Sequence, residues 1–130
     1  MSDLSNTLTT VASALRAQST RLRLVSENIA NTDTPGYRRK TTSFEQVHDR
    51  TSNALTLRQG GVSLSQAELP KIHDPTHPMA DAKGYYDGSN VDLMVEIADA
   101  REAQRGYEAN LKLFEQTRKM SASLMDLLRR

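Results

Sequence analysis

The chain contains no cysteine and no tryptophan. Without cysteine there is no disulfide scaffold, no thiolate zinc site and no thiol nucleophile. Aromatic residues amount to 5%, from four Tyr and two Phe, so the large side chains that usually fill a core are nearly missing. Hydrophobic residues make up 37% of the 130 residues, and adding the six glycines still leaves the total below the roughly 45–50% of an ordinary globular domain. A thin core follows, too thin for a conventional enzyme interior. Excess charge of one sign is also absent, with 17 Lys and Arg against 16 Asp and Glu. A chain with so little surplus cannot neutralise many phosphates, which argues against a nucleic-acid partner. No apolar run approaches the roughly 18 residues of a membrane span, and the N-terminus lacks the basic stretch and short apolar run of a cleaved signal. If such a chain leaves the cytoplasm, it is expected to use another route.

Breakers are confined to the middle. All four prolines, at 35, 70, 75 and 78, and five of the six glycines lie between Pro35 and Gly88. This divides the chain into an N-terminal helix (1–34), an irregular middle (35–90) and a C-terminal helix (91–130). In the first segment Leu4, Leu8, Val11, Leu15, Gln18, Leu22, Val25 and Ile29 follow alternating steps of four and three, with Gln18 the one polar occupant. That is the seam of a coiled coil, and Gln18 reads either as a register-setting polar residue or as an exposed point in the seam. Ser13, Thr20 and Glu27 repeat on a polar heptad position, and Arg16 and Arg23 on another. Such a helix, roughly 42 Å long at 1.5 Å per residue, should fray on its own.

The helix is expected to stop near Asn31, which tolerates the left-handed conformation, and Pro35-Gly36 suits a type II turn. Leu55-Thr56-Leu57 and Val62-Ser63-Leu64 alternate in period two around Arg58-Gln59-Gly60-Gly61, which predicts a small hairpin turning at the glycines. Three prolines between Leu69 and Met79 predict an extended segment. The last helix is expected to be capped by Ser89 or Asn90, with Asp92 favourable to the helix dipole. It carries two apolar stripes: Leu93, Ile97, Ala100, Tyr107, Leu111, Phe114, Met125 and Leu128 on one, and Leu113, Met120, Leu124 and Leu127 on the other. A helix with so broad an apolar surface needs several partners, some from other subunits. Glu108 with Lys112 and Glu115 with Lys119 have the favourable i,i+4 order. Gly106 inside this helix marks either close backbone approach or a tolerated surface glycine.

The fold class these patterns give is mainly α. Long N- and C-terminal helices pair as an antiparallel coiled coil, with a small irregular or β-hairpin region between them. Possible chemistry is sparse. His73, Asp74 and His77 have a short spacing of ligand types, but Pro75 and Pro78 prevent the helical geometry that would make them converge, so no metal site and no cofactor is expected. Asp87-Gly88-Ser89-Asn90 lacks the spaced acids and closing Glu of a calcium loop. The basic triplet Arg38-Arg39-Lys40 reads as a solvated or inter-subunit patch. No nucleophile elbow or phosphate loop occurs, and no catalytic residue or small-molecule substrate is expected.

Ser26-Glu27-Asn28-Ile29-Ala30-Asn31-Thr32-Asp33-Thr34-Pro35-Gly36-Tyr37-Arg38-Arg39 resembles the N-terminal signature of bacterial flagellar rod and hook proteins. Asp74-Pro75, His77-Pro78, Asp81-Ala82, Gly84-Tyr85, Asn90-Val91 and Arg105-Gly106-Tyr107-Glu108-Ala109-Asn110 resemble the C-terminal half of proximal-rod proteins of the FlgC type. The resemblance implies a structural subunit of the basal-body rod, exported through the flagellar type III apparatus without signal cleavage and located in the periplasm-spanning rod. It implies helical assembly with itself, with FlgB and FlgF, and with the adaptor FliE. On that reading Leu4, Leu8, Val11, Leu15, Leu22, Val25, Ile29, Tyr107, Leu111, Phe114, Leu124 and Leu128 carry assembly. Asn28, Asn31, Pro35, Gly36 and Tyr37 form the motif that redirects the chain. The alternatives are a FlgB-type paralogue, a metal-dependent or peptidoglycan-active enzyme using His73, Asp74 and His77, and a cytoplasmic coiled-coil adaptor using Arg38 to Lys40.

Overall fold

A computed structural model describes residues 2–130. Two helices, α1 (Ser2–Ala30) and α2 (Leu93–Arg129), enclose four strands in sequence: β1 (Lys40–His48), β2 (Leu55–Leu64), β3 (Lys71–His73) and β4 (Tyr85–Asp87). The strands form two separate antiparallel pairs, β1 with β2 and β3 with β4.

α1 ends where Asn31 Nδ2 donates to the Glu27 carbonyl at 2.8 Å, covering an acceptor that the helix has left open. The chain then turns at Thr34-Pro35-Gly36-Tyr37, with Tyr37 N donating to Thr34 O at 3.2 Å and Gly36 at φ 73°. Proline second and a left-handed glycine third make this the expected type II turn.

The hairpin expected around Gly60-Gly61 does not form there. Residues 55–64 are one continuous strand, and the turn that reverses the chain is Asp49 to Ala54. In it Asp49 N donates to Ala54 O at 2.8 Å, and Asn53 takes the left-handed φ of 57°. The two glycines are a β-bulge. Thr42 pairs with Val62 and Phe44 with Gln59, so Gly60 and Gly61 together oppose Ser43. A Cβ on Gly60 would come within 2.6 Å of Ser43 Oγ, so the glycine admits the partner strand rather than turning away from it. The partner strand is hard to see because Phe44 and Val47 fall on opposite parities.

The Pro-rich segment is extended only at its start, where β3 follows Pro70; Pro75 and Pro78 lie in successive turns closed by His77 N on Asp74 O and Ala80 N on His77 O, both at 3.0 Å, within the loop to β4 that Asp74 and Asp81 organise. Asp81 Oδ1 accepts from Lys83 N at 2.9 Å and Tyr85 N at 3.0 Å. Gly84 has φ 85° at the entrance to β4, and a Cβ there would meet Pro75 Cγ at 2.9 Å.

The cap of α2 is Asp92, in extended conformation, whose Oδ1 accepts from Met94 N at 3.0 Å. Ser89 and Asn90, the expected caps, are occupied elsewhere. Ser89 Oγ donates to Thr32 O, and Asn90 bridges Arg39 N to the Ser65 and Ala67 carbonyls. A cap must sit where its oxygen meets the second or third helical N–H, and only Asp92 does.

The helices pack against each other with contacts that descend α1 as they climb α2: Asn28 meets Glu96, Arg21 meets Asp99 and Glu102, and Gln18 meets Gly106. The other side of α1 is covered by the β1–β2 ribbon, with Leu57 N donating to Ser13 Oγ at 3.0 Å. Thus α1 is the middle layer, and its polar Ser13 position serves the strand edge. The buried apolar set among the described residues is Val11, Ala17, Leu24, Val25, Ala54 and Ala103. Three of these are alanines, so the core is as thin as the composition implies.

Candidate functional site

The surface that the fold leaves unfinished lies on α2. Its buried residues are Glu96, Ala103 and Thr117, which fall on one heptad row with Asn110. This row faces α1. It is made of small and polar side chains, and both apolar stripes flank it. On one side Leu113, Met120, Leu124 and Leu127 remain 41–64% exposed; on the other, Leu111 and Met125 are 38% and 43% exposed. Tyr107 and Phe114 are half-buried, and Leu128 is exposed. At the beginning of the helix Leu93, Met94, Val95 and Ile97 are also exposed. Among the described residues no ion pair involves α2 beyond Glu102. The i,i+4 pairs expected at Glu108–Lys112 and Glu115–Lys119 are not closed.

The α1 seam is divided in the same way. Val11 and Val25 are buried inside the chain, Leu4, Leu8, Leu15 and Leu22 are half-buried, and Ile29 is exposed. The deepest line on α1 also takes in Ala17, Leu24 and Asn28, which the regular seam omits or places at its margin.

Where α1 ends, β1 begins and α2 begins, a polar cluster replaces the core. Glu96 and Asn28 are the two largest fully buried side chains among the described residues. Arg39 Nε donates to Glu96 Oε1, and Arg39 Nη2 donates to Asp99 Oδ2 at 2.7 Å. Asn28 Nδ2 donates to Lys40 O at 3.0 Å and to Glu96 Oε2 at 3.3 Å. Its Oδ1 accepts from Lys40 N at 2.9 Å and from the Tyr37 hydroxyl at 2.8 Å. Asn28 therefore makes the pair of hydrogen bonds to the Lys40 backbone that a neighbouring strand would make. Burial pushes the Tyr37 phenol above its ordinary value, against the lowering charge of Lys40. Beside the cluster is an open cleft of about 340 Å³ lined in part by Arg21, Leu24, Phe44 and Thr42. The charges on its walls are paired with each other, Arg21 with Asp99 and Arg39 with Glu96.

The basic triplet is thus not a solvated patch. Arg38 Nη1 donates to Ser65 O at 3.0 Å, Arg39 enters the cluster, and Lys40 Nζ pairs with Glu27 at 3.2 Å. Sequence reasoning missed Glu96, Asp99 and Asn90 as partners, because nothing in local spacing links them to residues 50 or more positions away. Of the motif residues, Asn28 and Tyr37 meet directly, while Asn31, Pro35 and Gly36 shape the turn between them.

His73, Asp74 and His77 do not converge. The His73 ring meets Tyr85 edge-on at 4.7 Å, and His77 stacks on Tyr86 at 3.9 Å. His77 Nδ1 accepts from Met79 N at 3.1 Å. Asp74 Oδ1 accepts from the Thr76 hydroxyl at 2.7 Å and from Thr76 N at 3.1 Å, which holds its carboxyl below the usual range. Among the described residues no group of three His, Cys, Asp or Glu side chains is placed to hold a metal. No helix among the described residues is long and apolar enough to cross a membrane.

Comparison with known proteins matches both ends of the chain. Residues 8–38 match the family described as flagella basal body rod protein, and residues 82–127 the family described as flagellar basal body rod FlgEFG protein C-terminal. The flagellar basal-body rod protein FlgC of Agrobacterium fabrum is 42% identical, covering 99% of this chain and 98% of its own length. The proteins of the same name from Escherichia coli O6:H1 and Bacillus subtilis are 33% and 30% identical, covering 95% and 94% of this chain and 97% and 96% of their own.

Proposed function

We propose, from the premise that this chain belongs to the FlgC family of flagellar basal-body rod proteins and is a structural rod subunit, that the open rows of α2 are its assembly surface. The observation that carries this is the pair of apolar stripes exposed on both sides of the row facing α1, beside an apolar core of six residues among those described. A neighbour on either side would cover one stripe and leave its own second stripe open to the next subunit. Such heterologous contact continues as an open helical array when the rotation between subunits does not close into a ring.

In this reading α1 and α2 act as an antiparallel coiled-coil pair within one chain, forming a wall element of the rod. Leu111, Phe114, Tyr107, Leu124 and Leu128 meet neighbours, joined by Ile29 and the half-buried Leu4, Leu8, Leu15 and Leu22. Val11 and Val25 support the pair from inside. The neighbours are further copies of this chain, FlgB, FlgF and the adaptor FliE. The subunit reaches the periplasm through the flagellar type III export apparatus, and its role there is mechanical rather than catalytic.

The test is an aspartate at positions that are open in the single chain. Leu124→Asp and Leu127→Asp should leave α-helix content unchanged and abolish recovery of the subunit with isolated basal bodies, with loss of motility. Normal incorporation of both variants would refute the assembly surface.

A further inference from the structure

The apolar contact between α1 and α2 does not by itself define how far one helix is slid along the other. Shifting α1 by seven residues carries Leu4 onto Val11, Leu8 onto Leu15, Leu15 onto Leu22 and Leu22 onto Ile29. The row of α2 that faces α1 repeats likewise, with Ala103, Asn110 and Thr117 seven apart, and so does the exposed stripe beside it, with Leu113, Met120 and Leu127. At the closest approach the residues are small. Ala17 and Ala103 are buried and Gly106 lies against Gln18, so few knobs interlock. A heptad seam with small residues at its tightest points matches itself after each seven-residue slip.

What does not repeat is Gln18 against Gly106, the bonds of Ser89 to Thr32 and of Asn90 to Arg39 that tie the helix ends, and above all the buried polar cluster beside them. Arg39 comes from the short link between the turn and β1, and it reaches Glu96 and Asp99 only when Asn28 lies opposite Glu96. After a slip of seven, Ala103 or residue 89 would face Asn28, and the fully buried Glu96 carboxylate would lose Asn28. We propose that the Arg39–Glu96–Asn28 cluster selects the register of α1 on α2, and that the apolar seam supplies adhesion without choosing among registers. A buried ion pair contributes little net stability compared with apolar groups of similar size, because removing two charges from water offsets their attraction. Its best-attested use is to reject alternative pairings. The proposal concerns the single chain and does not depend on which neighbours it meets.

The chain has no cysteine, so an engineered pair reports the register directly. Arg21 and Glu102 side chains approach to 3.3 Å. That distance joins the tips of two long side chains, so three full-length variants are compared with a short bis-maleimide rather than by oxidation: R21C/E102C for the observed register, and R21C/A109C and R21C/V95C for slips of seven in either direction. With the cluster intact, only R21C/E102C should give the intramolecular crosslink. In a R39M/E96L background, which replaces the pair by apolar groups, helix content should be retained and the two slipped pairs should crosslink as well. If R39M/E96L does not fold, E96Q, which keeps the shape and removes the charge, carries the same reading. Exclusive crosslinking of R21C/E102C in the folded background would overturn the proposal, since contacts other than the cluster would then determine the register.

Discussion

Gly106 lies directly against the side chain of Gln18: a Cβ at position 106 would come within 2.9 Å of Gln18 Nε2 and 3.1 Å of its Cδ. The glycine in the long helix is therefore a close-approach site, and the polar residue in the α1 seam is what fills the space. Gln18 Oε1 is buried with no hydrogen-bond partner among the described residues.

These two residues should be energetically coupled. Gly106→Ala alone gains helix propensity, about 1 kcal/mol, but must displace the Gln18 amide, so its net effect on the urea midpoint should be small. In a Gln18→Ala background the obstacle is gone and the full gain of about 1 kcal/mol should emerge. Equal effects of Gly106→Ala in both backgrounds would show that the two side chains do not press on each other.

Removing one member of the buried pair should be far worse than removing both. Arg39→Met leaves Glu96, with no exposed surface, facing only the Asn28 amide. The expected loss is about 3 kcal/mol, at the lower end for a broken buried pair because Arg39 itself is partly open to water. Chemical denaturation of Arg39→Met beside Arg39→Met/Glu96→Leu measures the difference. A single variant as stable as the double would contradict the burial argument.

The α2 start separates two aspects of one segment. Asp92→Ala removes the cap and should lower stability by about 1 kcal/mol, with faster amide exchange at Met94 to Glu96. Asn90→Ala should leave those amides protected and instead loosen residues 65–67 and Arg39, which its side chain holds. Hydrogen exchange resolved by residue distinguishes the outcomes; fraying of α2 in Asn90→Ala would restore Asn90 as the cap.

Acid should open the loop between β3 and β4. Hydrogen bonds from Tyr85 N and then Lys83 N hold the Asp81 carboxyl below its ordinary range, as the Thr76 hydroxyl and N–H do for Asp74. A carboxylate whose folded value is depressed stabilises the fold above its unfolded value, near 3.9, and that contribution disappears as pH falls through the lower folded value. Proteolysis of residues 74–84 with an acid-active protease should accelerate below about pH 4. In Asp81→Asn the loop should already be loose at neutral pH, with a weaker pH dependence; an unchanged acid profile would rule out the Asp81 turn as its cause.

Much of the architecture was legible from breakers and periodicity. The confinement of proline and glycine to the middle marks two helices, because neither residue suits a helix interior, and Pro35-Gly36 names its turn through two fixed backbone preferences. The two stripes of α2 were readable for the same reason: helical period turns spacing into a face. The hairpin was misplaced because Gly-Gly is compatible with both a turn and a bulge, and only the partner strand distinguishes them. Ser13 reads only as part of a polar heptad position, since such a position looks the same whether water or a strand edge covers it.

The chain's order alone determined that a helix stands at each end, how much apolar surface the two carry, and that this surface exceeds what a small core can use. Those properties depend on neighbours a few residues apart. Tertiary structure decided which small and polar row of α2 faces α1, that Asn28 replaces a strand neighbour for Lys40, and that Arg39 closes on Glu96 and Asp99. Those contacts join residues 12 to 68 positions apart, and a buried charge can be recognised only once its counter-charge has been brought beside it.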